Sequence, residues 1–312
     1  MNENENMETV HTSVLLHEVV EALARNFELR TSNLELTPWY LDGTLGGAGH
    51  ALAVAAALEG KVNILAFDRD PAAIERAKKL LGGKAEKVII ENEDYRNLEG
   101  VLAKHGIEKV DMILLDLGIS SDELETSGRG FSFMKEEPLL MTMGDPKTYP
   151  FTAKDIVNGW EEETIADIIF GYAEDRFARR IARAIVGYRD KKQIETTTEL
   201  AEIVKSAVPA FVRRGKIHPA TKTFQALRIA VNDELNALKE GLRKGYERLN
   251  EGGRMAVISF HSLEDRIVKD FNKEHQKSGA TIITKKPITA SSQEIAENPR
   301  ARSAKLRIIE KH

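Results

Sequence analysis

Asp42, Asp68 and Asp116 each close a run of apolar, β-forming residues, and the first leads straight into Gly43-Thr44-Leu45-Gly46-Gly47-Ala48-Gly49-His50. A carboxylate at a strand end can accept hydrogen bonds from hydroxyls or amines, or take up a proton. Glycines in a turn adopt positive φ at little cost and let a ligand approach the backbone. An alanine-rich helix over residues 51–58 would then aim its unpaired N–H groups at whatever lies in the turn. The spacing is Gly-x-x-Gly-Gly-x-Gly, so the Gly-x-Gly-x-x-Gly dinucleotide fingerprint is absent. A nucleotide-like cofactor without a pyrophosphate fits better, and S-adenosylmethionine is the candidate. Asp68 follows the turn by roughly twenty residues, the interval at which an acid grips ribose hydroxyls. Any one of these acids reads equally well as a helix cap; three beside one glycine loop argue for a cofactor site.

For those groups to meet, the chain between them must alternate strands and helices. Residues 39–42, 62–68, 88–91, 110–116 and 255–260 read as strands, apolar on both faces and therefore covered by helices on both sides. The expected fold is α/β: a doubly wound, Rossmann-like parallel sheet that binds its ligand beyond the strands' carboxyl ends, at the switch point beside the first strand. Asp70 and Pro71 supply an N-cap and a first-turn proline for a helix over 71–81. After Asp116 the alternation stops, and helices at 161–173, 174–189, 196–208 and 221–249 predict an inserted all-helical domain. Residues 280–284 and 306–309 form a closing antiparallel pair. The expected domains are residues 1–120, a helical substrate-binding insert over 121–220, and residues 221–312 completing the first domain.

Arg176, Arg179, Arg180 and Arg183 recur at i, i+3, i+4 and i+7, one face of one helix, opposite Phe177, Ile181, Ala184 and Ile185. Clustered guanidiniums repel each other unless an anion lies opposite, so the functional reading is phosphate contact, against a solvated face balanced by Glu174 and Asp175. A second basic group, Arg213, Arg214, Lys216 and Lys222, borders His218-Pro219. The 312 residues are 42% hydrophobic and 30% charged, with a formal net charge of -4 and no cysteine. That composition indicates a globular protein and excludes disulfides and thiolate chemistry. The net charge argues against bulk nucleic-acid coating and leaves room for a local basic face. No apolar run approaches a membrane span, and residues 1–10 read as a disordered polar arm rather than a signal, so the expected location is cytoplasmic. His11 and His17 sit six apart, which matches no simple helical metal pair, and no metal site is expected.

Together, His11-Thr12-Ser13-Val14-Leu15-Leu16, the 42–50 loop, Phe67-Asp68-Arg69-Asp70-Pro71, Leu114-Leu115-Asp116-Leu117-Gly118-Ile119-Ser120-Ser121, Arg129-Gly130-Phe131-Ser132-Phe133, Arg176-Phe177-Ala178, the stretch from His218 to Arg228, Phe260-His261-Ser262-Leu263-Glu264-Asp265-Arg266 and Asn298-Pro299-Arg300-Ala301-Arg302-Ser303 resemble the bacterial 16S ribosomal RNA methyltransferase H (MraW) family. The resemblance implies S-adenosylmethionine-dependent methylation of cytidine N4 in the decoding centre of 16S rRNA, within the 30S subunit or its precursor. It places donor contacts at Ala48, Gly49, His50, Asp68, Tyr95, Asp116 and Glu123, where the family carries glutamine at the last position. The family segment Pro-Leu-Asp-Met-Arg-Met-Asp is here Pro138-Leu139-Leu140-Met141-Thr142-Met143-Gly144-Asp145, so an acid has become Leu140 and an arginine Thr142. The departures keep a second reading in play, a SAM-binding ribosome-assembly factor with weakened catalysis or a shifted RNA target. A small-molecule methyltransferase fits the large arginine-faced insert poorly. A homodimer remains an option.

The exocyclic amine of cytosine is a poor nucleophile, because its lone pair is delocalised into the ring. A site that accepts hydrogen bonds from the amine turns the lone pair outward and receives the released proton. Asp116 is the first candidate for that role and His261 the alternative, with a structural hydrogen-bonding role for His261 equally open. The Asn/Asp-Pro-Pro-aromatic signature of many amine methyltransferases is absent. Phe131 or Phe133 could hold the extruded base, against core packing as the plainer reading.

Overall fold

The structure, a computed structural model, describes residues 13–27, 37–120, 124 and 127–312. His11, Glu123 and the expected arm over 1–10 lie outside the described residues. The chain divides into two compact units, Met1–Gly118 with Leu238–His312, and Ile119–Ala237.

The first unit is built on a seven-stranded sheet. In chain order it contains α1 (Leu16–Val20), which runs into a π-helical turn (Glu21–Arg25), then β1 (Trp39–Asp42), α2 (Gly49–Ala57), β2 (Asn63–Asp68), α3 (Pro71–Leu81), β3 (Lys87–Asn92), α4 (Leu98–Lys104) and β4 (Val110–Asp116). The strands stand in the order β3-β2-β1-β4-β5-β7-β6, where β5 is Leu249–Ser259, β6 Thr281–Ile282 and β7 Lys305–Glu310. β3, β2, β1, β4 and β5 run parallel, while β7 is antiparallel to both β5 and β6. The order reverses between β1 and β4, the switch point expected of a doubly wound sheet.

Side chains alternate between faces along each strand, and here both sets are apolar. Tyr40, Ile64, Met112, Leu114 and Ile258 pack on one face with Leu15, Leu23 and Val54. Leu41, Leu65, Phe67, Ile113 and Val257 pack on the other with Leu98 and Leu102. Asp70 caps α3 by accepting the Ala72 N–H at 3.2 Å, with Pro71 in the first turn, as expected. β5 begins six residues earlier than the expected 255, because Gly252-Gly253 is a bulge inside the strand rather than a turn before it. The register shifts between Val110 and Met112 opposite, and a Cβ on Gly253 would lie 2.8 Å from the Asp111 carbonyl oxygen.

The second unit is helical: α5 (Ala153–Gly159), α6 (Glu162–Ala173), α7 (Ala178–Arg189), α8 (Thr197–Ala207), α9 (Ala210–Arg213) and α10 (Ala220–Asn232). Ile156, Ile165, Ile169, Ile181, Ile185, Leu200, Val204, Phe224 and Leu227 form its core. Three expectations are corrected here. The helix expected from 174 starts at Ala178, because Glu174 is left-handed (φ 48°) and the buried Asp175 folds a turn by accepting the Phe177 N–H at 2.8 Å. The single helix expected over 221–249 is two, α10 and α11 (Glu234–Glu247), broken where Asp233 takes φ 51°. The insert also runs to residue 237 rather than 220, because α10 places Phe224, Ala226, Leu227 and Val231 in the helical core.

The divergent segment 138–145 is held by several groups, among them Arg129, which donates to the Met143 carbonyl at 2.7 Å, and the Tyr149 hydroxyl, which accepts the Gly144 N–H at 3.1 Å. Asn232, 2% exposed, donates to the carbonyls of Met141 (2.7 Å) and Arg228 (2.8 Å) and accepts the Met143 N–H (2.9 Å). Thr142 is fully buried with its hydroxyl on the Gly144 carbonyl, and Asp145 caps the following turn through the Lys147 N–H. Leu140 and Thr142 thus belong to a clamped scaffold. Asn232→Ala leaves buried backbone groups without partners and is expected to destabilise the protein by about 2–4 kcal/mol, read as a lowered urea midpoint; a shift below about 0.5 kcal/mol would show the segment is held by other means.

Candidate active site at the strand tips

β1 delivers Asp42 to the rim of the sheet and the chain turns at once into the glycine loop. Gly43 donates to the Leu114 carbonyl at 2.9 Å and Leu45 to the Phe67 carbonyl at 3.0 Å, so the loop crosses the tips of β4 and β2. Its glycines answer different demands. A Cβ on Gly43 would lie 2.4 Å from Leu115 Cδ2, and one on Gly49 would lie 2.1 Å from Ser13 Oγ. Gly46 adopts φ 49°, and Ala48 takes φ 61° at the head of α2. A left-handed alanine costs on the order of 1–2 kcal/mol, a local strain that accompanies ligand-binding turns. The residues before α1 brace this loop. His50 Nε2 lies 3.0 Å from the Val14 carbonyl, and the Leu15 N–H donates to Glu294 Oε1 at 2.7 Å from α13 (Ser292–Glu297).

Asp68 turns both carboxylate oxygens to the backbone, Oδ2 accepting the Gly46 N–H and Oδ1 the Asp70 N–H, each at 2.8 Å. It organises the loop and keeps unused lone pairs, since a carboxylate has about four acceptor positions. Burial raises its pKa against the pull of those amides. Tyr95 packs beside Gly43 and over Gly241 on α11, where a Cβ would come within 2.5 Å of its ring.

Asp42, 1% exposed, accepts the Tyr40 hydroxyl at 2.9 Å and the Thr44 N–H at 3.1 Å. Burial nonetheless pushes its pKa up to about 6. Asp116 lies at the end of β4, where its own N–H donates to Thr44 Oγ1 at 2.6 Å. Its Oδ2 stands 3.7 Å from His50 Nδ1, and its buried Oδ1 has no hydrogen-bond partner. Burial, then Asp42, then Glu264 push Asp116 well above the ordinary carboxylate range. The Val14 carbonyl can only accept, so His50 Nε2 donates to it, and Nδ1 is the ring nitrogen that faces Asp116.

His261 heads α12 (Ser262–Gln276) as its N-cap, with Nδ1 3.5 Å from the Glu264 N–H and Nε2 3.1 Å from Glu264 Oε1. Glu264, 2% exposed, in turn accepts the N–H groups of Phe260 (2.8 Å) and His261 (3.2 Å). Sequence reasoning passed over Glu264: the usual box is Ser or Thr followed three residues later by Glu, and a histidine stands in the first position here. Arg307 is buried and bound to Asp265 at 2.6 Å.

In the helical unit, Arg179, Arg180 and Arg183 are exposed on α7, and Arg176 is exposed on the turn before it rather than on the helix face. Arg213 and Arg214, at the end of α9, are also exposed, and Arg183 pairs with Glu162 at 3.5 Å. Phe131 is a core residue, and Phe133 stacks on His218 (centroids 4.6 Å apart) with its edge contact on Phe224. Among the described residues there is no His, Asp and Glu cluster arranged to hold a metal ion, and no helix is long and apolar enough to cross a membrane.

The model of the MraW methylase family matches residues 8–312. This chain belongs to the MraW methylase family. A protein of Deinococcus deserti named ribosomal RNA small subunit methyltransferase H is 48% identical over 307 residues, spanning 97% of this chain and 93% of its own. A protein of the same name from Brevibacillus brevis is 43% identical, over 96% and 98% of the two chains. Solved structures with a similar course include a putative rRNA methylase from Clostridium thermocellum (12% identity, 97% of this chain and 100% of that one, TM-score 0.46). Another is a putative methyltransferase from Streptococcus mutans in complex with SAH (11% identity, 96% and 99%, TM-score 0.46).

The methylase takes its methyl group from S-adenosylmethionine. The strand-tip residues fit that donor. The loop offers a backbone cradle opening into the N-terminus of α2, Asp68 keeps lone pairs that ribose hydroxyls can use, and Tyr95 stands against Gly43 at the start of the loop. Asp116 Oδ1 is an orphaned acceptor.

Asp68→Ala is expected to weaken donor binding at least tenfold by calorimetry, since it removes the acceptor and unties the loop amides; unchanged affinity would refute a ribose role. Asp42 gives a pH signature. Its pKa of about 6 lies above the ordinary 3.8 of an aspartate, so the folded state binds the proton more tightly. Its contribution to stability is full at low pH and is lost as pH rises through about 6, on the order of 3 kcal/mol in all. Asp42→Asn should therefore gain urea stability relative to wild type on going from pH 4.5 to 7.5; parallel pH curves would show that Asp42 does not titrate there.

Proposed function

We propose that this methylase transfers a methyl group to N4 of a cytidine in the decoding centre of 16S rRNA, in the 30S subunit or its precursor. The observation that carries the chemistry is the unpartnered Asp116 Oδ1 at the tip of β4. S-adenosylmethionine, when bound, supplies an electrophilic methyl carbon on a sulfonium. Asp116 Oδ1 accepts a hydrogen bond from the exocyclic amine, which draws the nitrogen lone pair out of conjugation, and then takes the proton that the amine releases on methylation. A carboxylate held above its ordinary range is a stronger base once ionised, so burial and the neighbouring acids suit the group to keep that proton. His261 is a positioning residue: its Nδ1 lone pair faces the Glu264 amide, and acting as a base would disrupt the cap of α12.

The RNA substrate is supported by the names of relatives that match nearly end to end, and by the exposed Arg176, Arg179, Arg180, Arg183, Arg213 and Arg214 of the helical unit. Leu140 and Thr142 alternate with Met141 and Met143, whose backbone Asn232 holds, and the Thr142 hydroxyl bonds the Gly144 carbonyl, which gives those departures a place in the scaffold.

Incubation with labelled donor and either immature 30S particles or naked 16S rRNA, followed by nucleoside mapping, tests this. The expected label is N4-methylcytidine. In Asp116→Asn, which keeps an acceptor oxygen and loses the base, kcat should fall by roughly 10²–10⁴ with donor affinity within about threefold. Donor binding without transfer to either substrate, or label at another atom, would overturn the assignment.

A further inference from the structure

Phe211 is 63% exposed on the four-residue α9, although burying such a ring would stabilise the fold. It meets Phe177 edge to face with centroids 6.3 Å apart, and the Arg176 guanidinium lies 4.8 Å from the Phe177 ring and 5.6 Å from the Phe211 ring. Phe177 packs against the helical core and anchors the group. Cations dominate the neighbouring chain: Arg179 and Arg180 follow on α7, and Arg213, Arg214 and Lys216 follow Phe211, all exposed, with the exposed Ile217 next to them. The nearby acids are largely occupied. Asp175 is buried, with Oδ1 on the Phe177 amide, and Glu162 faces Arg183, while Glu174 is exposed and its backbone carbonyl accepts from Lys222 at 3.4 Å.

We propose that Phe211, supported by Phe177 and Arg176, is a stacking platform for an unpaired base of single-stranded RNA, a second base-binding position in the helical unit distinct from the reacting cytidine. Aromatic faces bordered by cations are how proteins hold unpaired nucleotides: the charges track the phosphates and the ring takes the base. A purely electrostatic face needs no exposed ring; Phe170 on α6 is exposed to a similar degree, but among the described residues only at Phe211 do a second ring and a guanidinium border the exposed face. The inference deepens the proposed function and rests on its reading of the substrate as RNA.

The test is equilibrium binding of the full-length protein, without donor, to an unstructured RNA oligonucleotide and to the same backbone carrying abasic sites. Phe211→Trp should report RNA binding as a saturable quench beyond that of Trp39 and Trp160 in the wild type. Phe211→Ala should bind the oligonucleotide about 5–150-fold more weakly, the range of one stacked base, with an unchanged thermal midpoint. Phe211→Leu, which keeps an apolar side chain without the ring, should behave like alanine. The abasic backbone should show no dependence on residue 211. Wild-type affinity in the alanine or leucine variant would overturn the proposal. So would dependence on Phe211 for 30S particles but not for naked RNA, which would assign the surface to a protein partner. Loss of N4 methylation with the Phe211 effect intact would defeat the proposed function alone, and N4 methylation with full RNA binding by Phe211→Ala would defeat this inference alone.

Discussion

The central constraint in this molecule is that its parallel sheet is apolar on both faces, so polar chemistry can leave the sheet only at the strand ends. Asp42, Asp68 and Asp116 all stand at carboxyl tips. Two of them are held in surroundings poor in water, with Glu264 close enough to raise Asp116 further. Like charges crowded in this way bind protons strongly, and they favour a cationic or hydrogen-donating ligand. The loop amides quench Asp68 and the Tyr40 hydroxyl and Thr44 amide quench much of Asp42, which leaves Asp116 as the acid with an oxygen to spare.

The strands and the acids were legible in the sequence because a buried strand must be continuously apolar and Asp at its end breaks that run. The glycines were legible as a loop but only partly as to cause. Gly46 is explained by its backbone angle, whereas Gly43 and Gly49 yield to Leu115 and Ser13, neighbours that only folding supplies. Asp233 was hidden inside a helical pattern, because a single left-handed residue leaves the periodicity on either side intact. Asn232 was hidden as well: a polar residue near a helix end looks like surface until the segment it clamps is known. Glu264 escaped because a histidine occupies the capping position where serine or threonine is the usual marker.

The helical unit shows the opposite economy. Its core is a conventional set of interdigitated aliphatic side chains, and its particular features are placed outside that core. Arg176 is displaced from the helix by the Asp175 turn, which turns a regular basic stripe into a guanidinium set against two rings. Charge alone would attract phosphates of any sequence; ring faces add a preference for strands whose bases are free to leave their stack.

Ser13, Val14 and Leu15 join parts of the chain that are remote in sequence. Ser13 sets how close Gly49 can come, Val14 orients His50, and Leu15 is tied to Glu294 near the other end of the polypeptide. The donor loop therefore does not own its shape; a three-residue latch upstream and a helix more than two hundred residues downstream hold it jointly. Trimming or fusing the protein close to Ser13 would be felt first as a softened donor loop, with the sheet beneath it still intact.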